Sequence, residues 1–276
     1  MKAVMLVFLF IILCEIGFTQ RRQKQYTPPG TVQINDTLFA DRTEISNVGY
    51  REFLYWLASH DSLKVESMLP DSLVWNDTIV SNENPFTQYY FRHPGFNTYP
   101  VVGISYEQAL AFCEWRTLAV NYYIFCKENK CTKKSDFTGL SFPIKVKYRL
   151  PTKQEWEMIS SGKLEVKKFP YGFDRVEIKW KGTCHHRFNC IYPNTSKGSN
   201  KGGDKSFYTS YTKSYFPNSH KLYNTIGNVA EMVSEKGIAK GGSFAHKLEE
   251  CRIANNQSYT KPEGWLGFRC VAVMIR

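Results

Sequence analysis

Apolar residues fall at helical spacing in three stretches of this chain and alternate at strand spacing near its end. In SNVGYREFLYWLASH, Tyr50, Phe53, Leu54 and Leu57 share one face, and Ser46 or Asn47 supplies a capping oxygen for the first turn. The spacing predicts an amphipathic helix. Ser105 with Gln108 three residues on is a capping box that opens a second helix through Ala109, Leu110, Cys113 and Trp115. After the extended run KVKYRL, Thr152 and Glu155 repeat the device, starting a third helix that carries Trp156 and Ile159 and ends at Gly162. Positions 60–98 are rich in Asp, Ser, Asn and Pro and read as connections, closing on NTYPVVGIS, where Val101 and Val102 predict a short buried strand. From Gly237 the pattern turns to strands. IAKGGSF comes first, and in GFRCVAVMIR Phe268, Cys270, Ala272 and Met274 alternate against neighbours on the opposite face.

Residues 163–223 show no period and many Lys, Gly, Ser, Asn and Tyr. A stretch that long inside a compact domain needs another organiser, such as disulfides or bound ions. Composition excludes a disordered, collagen-like or coiled-coil chain: 276 residues are 42% hydrophobic, 15% aromatic and 22% charged. That length allows one large or two small domains, and the aromatic, Gly and Tyr content favours one irregular, loop-rich domain. The net charge of +11 comes without a run of five Lys/Arg or a nucleic-acid motif. A diffusely basic, solvated surface follows, with no nucleic-acid partner.

The opening MKAVMLVFLFIILCEIGFTQ has Lys2, an apolar stretch from Ala3 to Leu13, and small or polar residues around Gly17 and Thr19. It reads as a secretory signal peptide cleaved after Thr19, because the apolar stretch is about half the roughly 20 residues a spanning helix needs. The chain then divides into a signal peptide (1–19), a flexible segment (20–30) and a folded domain (31–276). Cys14 offers a second reading, a lipoprotein cleaved just before it, although Leu13 stands where a small residue is expected; membrane association would follow only from lipidation of Cys14. Export leaves seven cysteines in an oxidising compartment, an odd number, so at least one thiol stays outside intramolecular pairs. Cys126 with Cys131, and Cys184 with Cys190, are close enough in sequence to close small loops. Cys184, His185, His186 and Cys190 are also zinc-type donors, but the segment lacks a second ligand pair at finger spacing, and the disulfide reading is preferred. There is no G-x-S-x-G elbow, no H-E-x-x-H pair and no phosphate loop; GGDKS at 202–206 lacks flanking elements and reads as a turn.

YPVVGISYEQALAFCEWRT, YRLPTKQEWE, YNTIGNVAEM, KGGSF and LGFRC stand in the order seen in the formylglycine-generating enzyme (sulfatase-modifying factor) domain, which the chain resembles from about residue 30 to its end. The resemblance implies an irregular α+β single domain related to the C-type lectin fold, poor in regular secondary structure. DRTEISNVGYREFLYWL and YFRHPGFNTYPVVG resemble one branch of the family, the gliding-motility and type IX secretion lipoproteins.

The resemblance also implies structural calcium. One site would use the Asn224 side chain, the Gly227 and Val229 carbonyls and the Glu231 carboxylate. A second would use the Asn189 side chain, the Cys190 carbonyl, the Asp204 carboxylate and the Ser206 carbonyl. Oxygen sets of this kind suit a hard cation, which takes six to eight such ligands. It implies further a Cys113–Cys251 disulfide, which with the two local pairs leaves Cys270 as the free thiol. Active members carry a cysteine pair shortly after GGS that holds copper(I), a soft ion that selects thiolates. GGSFAHKLEEC places Ala245 and His246 where the first thiol is expected. No copper and no catalytic residue are therefore expected. The implied function is a non-catalytic scaffold or binding protein of the cell envelope with an envelope protein partner, associated with type IX secretion or gliding motility and located in the periplasm, at the outer membrane or outside the cell. The alternative is a formylglycine-generating oxidase, or a related metal-dependent oxidoreductase, acting on exported sulfatases.

Overall fold

The computed structural model describes residues 26–78, 84–131, 137–193 and 208–275. The leader with Cys14, and the ligands Asp204 and Ser206 expected for a second calcium, lie outside the described residues. Among the described residues, ten short strands and six helices make up an α+β domain. The strands are β1 Thr31–Gln33, β2 Leu38–Asp41, β3 Val146–Arg149, β4 Glu177–Trp180, β5 Thr183–His186, β6 Ala230–Met232, β7 Ile238–Lys240, β8 Gln257–Ser258, β9 Leu266–Gly267 and β10 Val271–Met274. The helices are α1 Asn47–His60, α2 Val65–Met68, α3 Val74–Thr78, α4 Pro85–Tyr89, α5 Tyr106–Asn129 and α6 Lys153–Ser161.

All three expected helices form, each started by its cap. Ser46 Oγ accepts the Gly49 N–H, and Ser105 and Gln108 bond each other's backbone N–H reciprocally, as do Thr152 and Glu155. Asn47, the other cap candidate, is buried and donates its Nδ2 to the carbonyls of Tyr90 and Phe96. Helix α5 runs well past Trp115 to Asn129 and stops at Lys130 in the left-handed conformation (φ 53°). Val101 and Val102 are buried as expected but do not form a strand. Only a single bridge, Ser46 to Pro100, forms there, because proline lacks a donor and Gly103 turns the chain at φ +72°.

The main sheet has the order β1-β2-β10-β3, all antiparallel, with Ala272 opposite both Phe39 and Tyr148. Both of its faces are covered. Cys270 and Ala272 face α1 and α5 in the largest apolar cluster, while Val271 joins Leu38, Ala40, Ile159 and Leu222 on the other side. Tyr50 stacks on Phe112 at 5.7 Å, and Phe112 meets Phe268 edge-on at 5.4 Å, joining α1, α5 and the approach to β10. Each such aromatic contributes about 1.5–3 kcal/mol by burial. A second sheet, β8-β7-β6-β9, carries the parallel pair β6/β9, and the described part of the aperiodic stretch from 163 contributes the hairpin β4/β5. Within 20–30, the described residues 26–30 are docked: Tyr26 packs against the main cluster and the Pro28 carbonyl accepts the Thr31 N–H. No helix among the described residues is long and apolar enough to cross a membrane.

Candidate functional site

Three positive-φ residues, Asn224 (49°), Gly227 (76°) and Asn228 (62°), coil the chain ahead of β6. At Gly227 a Cβ would lie 2.5 Å from the Asn189 carbonyl oxygen, so only glycine fits this crossing. The coil delivers Glu231 into the interior, 1% exposed, beside the wholly buried Arg269. Arg269 grips the carboxylate with both arms of its fork, Nε donating to Oε2 at 2.6 Å and Nη2 to Oε1. Trp156 Nε1 donates to Oε2 at 2.7 Å. The remaining guanidinium donors reach the carbonyls of Asp41 (3.0 Å) and Tyr223 (2.8 Å). Burial alone would lower the Arg269 pKa, but the adjoining Glu231 carboxylate holds it above its ordinary value.

Two further buried carboxylates flank this pair. Asp41 is bidentate to Arg116 at 2.6 and 2.8 Å and accepts the Cys270 N–H. Glu44 has no ion-pair partner among the described residues; Asn228 Nδ2 donates to it at 2.8 Å and Asn224 Nδ2 at 3.4 Å. Burial pushes Glu44 up to about 8, against the pull of Arg269. The sequence reading missed Arg269, Asp41 and Glu44. An arginine flanked by Phe268 and Cys270 in an otherwise apolar strand pattern was the available signal, since a charge there must be paired.

The first expected calcium set therefore lies within one buried segment. Glu231 Oε2 accepts two donors and Oε1 one, which leaves a lone pair on Oε1. Asn224 spends its Nδ2 on Glu44 and the Tyr211 carbonyl, and its amide oxygen is a separate acceptor. Together with the Gly227 and Val229 carbonyls these are hard oxygen donors, and their chemistry fits calcium. Of the second set, Asn189 donates its Nδ2 to the Tyr208 carbonyl and to Asn228 Oδ1, and Cys190 packs beside the Trp156 cluster. Among the described residues, no group of three or more His, Cys, Asp or Glu side chains is placed to hold a metal.

Beyond β7 the chain crosses Trp156 and Cys251 on Gly241 and Gly242. A Cβ at Gly242, where φ is +64°, would lie 2.3 Å from Cys251 Sγ. Ser243 follows, fully buried. Its Oγ accepts the Ala245 N–H and lies 2.7 Å from His246 Nδ1. The His246 ring meets Trp265 edge-on at 4.9 Å, so two contacts fix its plane. Burial lowers the His246 pKa, with Glu250 opposing in part. His246, Glu250, Asn255, Asn256 and Ser258 line a polar cleft of about 560 Å³. Cys251 is fully buried, with Sγ 3.3 Å from the Lys247 carbonyl.

The expected Cys113–Cys251 pairing is corrected. Cys113, on the face of α5 that packs against the main sheet, lies 3.5 Å from Cys270 Sγ, whereas Cys251 belongs to the separate cluster around Trp156. Cys270, expected to be the free thiol, is thus the neighbour of Cys113. Cys126 and Cys131 lie in one cluster at the end of α5, each as a free thiol. Cys184 is exposed on the β4/β5 hairpin, donating to Glu177 Oε2 at 3.4 Å. His186 stacks on Tyr192 at 3.6 Å.

The family model for the sulfatase-modifying factor enzyme 1-like domain matches residues 11–274. The chain is 25% identical to the formylglycine-generating enzyme of Mus musculus over 302 aligned positions, covering 92% of this chain and 70% of that protein. It is 30% identical to the formylglycine-generating enzyme of Streptomyces coelicolor over 149 positions, covering 44% and 46%. The solved structure of Treponema denticola variable protein 1 aligns over 90% of this chain and 92% of its own, at 19% identity and a TM-score of 0.42.

Proposed function

Because the chain belongs to the sulfatase-modifying factor enzyme 1-like domain family, we propose that it is a non-catalytic binding or scaffold protein of the cell envelope, with the cleft beside His246 as its interaction surface. The reading rests on the GGSF loop. An imidazole pinned by Ser243 and Trp265 stands where the expected chemistry needs paired soft thiolates. No cysteine lies between Ser243 and Cys251 in sequence, and Cys251 is fully buried behind Gly242.

The leader would export the chain to the periplasm or outer membrane. The resemblance of residues 41–57 and 90–103 to gliding-motility and type IX secretion lipoproteins supports an envelope protein as partner. Calcium at Asn224, Gly227, Val229 and Glu231 would tie the coil before β6 to the Arg269 pair as a structural ion; Asn189, Cys190, Asp204 and Ser206 are the proposed second set.

The second reading, a formylglycine-generating oxidase of exported sulfatases, is favoured by the names of the relatives and by the 92% coverage of this chain in the mouse alignment. Incubating the purified protein, with and without added copper(I), with a cysteine-containing sulfatase peptide and an aldehyde-reactive probe separates the two. No aldehyde above the peptide-alone control is expected; repeated turnover would overturn the scaffold reading.

A further inference from the structure

We propose that Cys126 and Cys131 form an oxidation-gated staple that locks the C-terminal turn of α5, independently of what the His246 cleft binds. Helix α5 ends on Lys130 in the left-handed conformation, and that single residue folds the chain back so that the Cys131 N–H donates to the Cys126 carbonyl at 3.0 Å. The same turn places both side chains in one cluster, where the neighbouring Cys126 side chain raises the Cys131 pKa. Both belong to the cluster of Tyr122 and Phe137, with Cys126 in its buried interior and Cys131 at its partly exposed margin.

This arrangement assigns an order of reaction. Cys131, the accessible sulfur, attacks a low-molecular-weight disulfide such as oxidised glutathione, forming a mixed disulfide and releasing one reduced thiol. Cys126 then attacks the Cys131 sulfur, and its proton passes to the departing thiolate, which leaves as the second reduced thiol. Two protein thiols are oxidised and one disulfide is reduced to two thiols. The other close pair has no such entrance: Cys113 is 2% exposed and Cys270 is 0% exposed. In the folded protein, small oxidants should therefore close Cys126–Cys131 and leave Cys113 and Cys270 as they were.

The test uses the full mature chain, purified reduced and exposed under native conditions to oxidised glutathione. Thiols are trapped by alkylation in denaturant and mapped by mass spectrometry at successive times. A Cys126–Cys131 cross-link is expected as the first intramolecular product, with Cys113 and Cys270 still alkylated. Hydrogen exchange at the amides of residues 128–131 should slow by about tenfold on oxidation, as local opening of the last turn is suppressed. Cys131→Ser, a change at a partly exposed position, should keep the fold and abolish both effects. A persistent glutathione adduct on Cys131 without cross-linking, prior oxidation of Cys113 with Cys270, or unchanged exchange after cross-linking would each overturn the proposal.

Discussion

Replacing Arg269 with methionine should be among the most damaging single changes in the chain. Its guanidinium makes two bonds to Glu231 and one each to the carbonyls of Asp41 and Tyr223, all inside the protein. Methionine leaves Glu231, 1% exposed, with Trp156 as its remaining donor among these contacts. An uncompensated buried charge of this kind costs about 3–5 kcal/mol. At roughly 2–4 °C per kcal/mol for a domain of this size, the melting temperature should fall by about 6–20 °C. Calorimetry on Arg269→Met, Glu231→Gln and the double variant provides the check. Once both charges are gone no carboxylate is stranded, so the double variant should lose less than the sum of the two single losses. A shift of less than about 2 °C for Arg269→Met, or additive losses, would refute the pairing as the centre of this core.

Other outcomes can be stated more briefly. If calcium occupies the Asn224–Glu231 segment, chelation should lower the melting temperature; a calorimetric trace unchanged by chelator would remove the ion from the account. Gly242→Ala puts a Cβ against Cys251 Sγ at positive φ and should cost about 1–3 kcal/mol in urea unfolding, with partial recovery in Gly242→Ala/Cys251→Ala. Burial depresses the His246 pKa below its ordinary 6.5, so the folded form resists the proton that the unfolded chain accepts. Its contribution is intact above that value and lost as pH falls through the folded pKa. His246→Gln should accordingly flatten the stability curve on the acid side of pH 6.5, and an unaltered curve would contradict the assignment.

The elements readable from sequence are those with local causes. Ser105/Gln108 and Thr152/Glu155 announce α5 and α6 because a capping box satisfies its own orphan donors within four residues. Alternation in the last strand was legible for the same reason, since strand side chains repeat every two residues. The length of α5 was not, because Tyr122, Ile124 and Cys126 are held by tertiary packing rather than by a helical period that stands out. Cysteine proximity was legible only where the partners share one turn, as Cys126 and Cys131 do. Cys113 finds Cys270 across 157 positions, a choice made by the packing of α5 on the main sheet and invisible to spacing. The cleft was half legible: the sequence showed histidine in place of a thiol, and the structure added the serine and tryptophan that hold it still.

The place of β10 has a consequence for how this protein is made. The last strand in sequence is an interior strand of the main sheet, bonded to β2 on one side and β3 on the other. Until residues 271–274 leave the ribosome, β2 and β3 have no common partner, and the apolar surfaces destined for either face of the sheet stay open. The main sheet therefore closes only after β10 has been synthesised, and a nascent chain that stops short of it exposes those surfaces. The same dependence makes β10 the point at which synthesis errors tell most: a chain that stops before residue 271 should be cleared by proteases rather than persist as a slightly shortened domain.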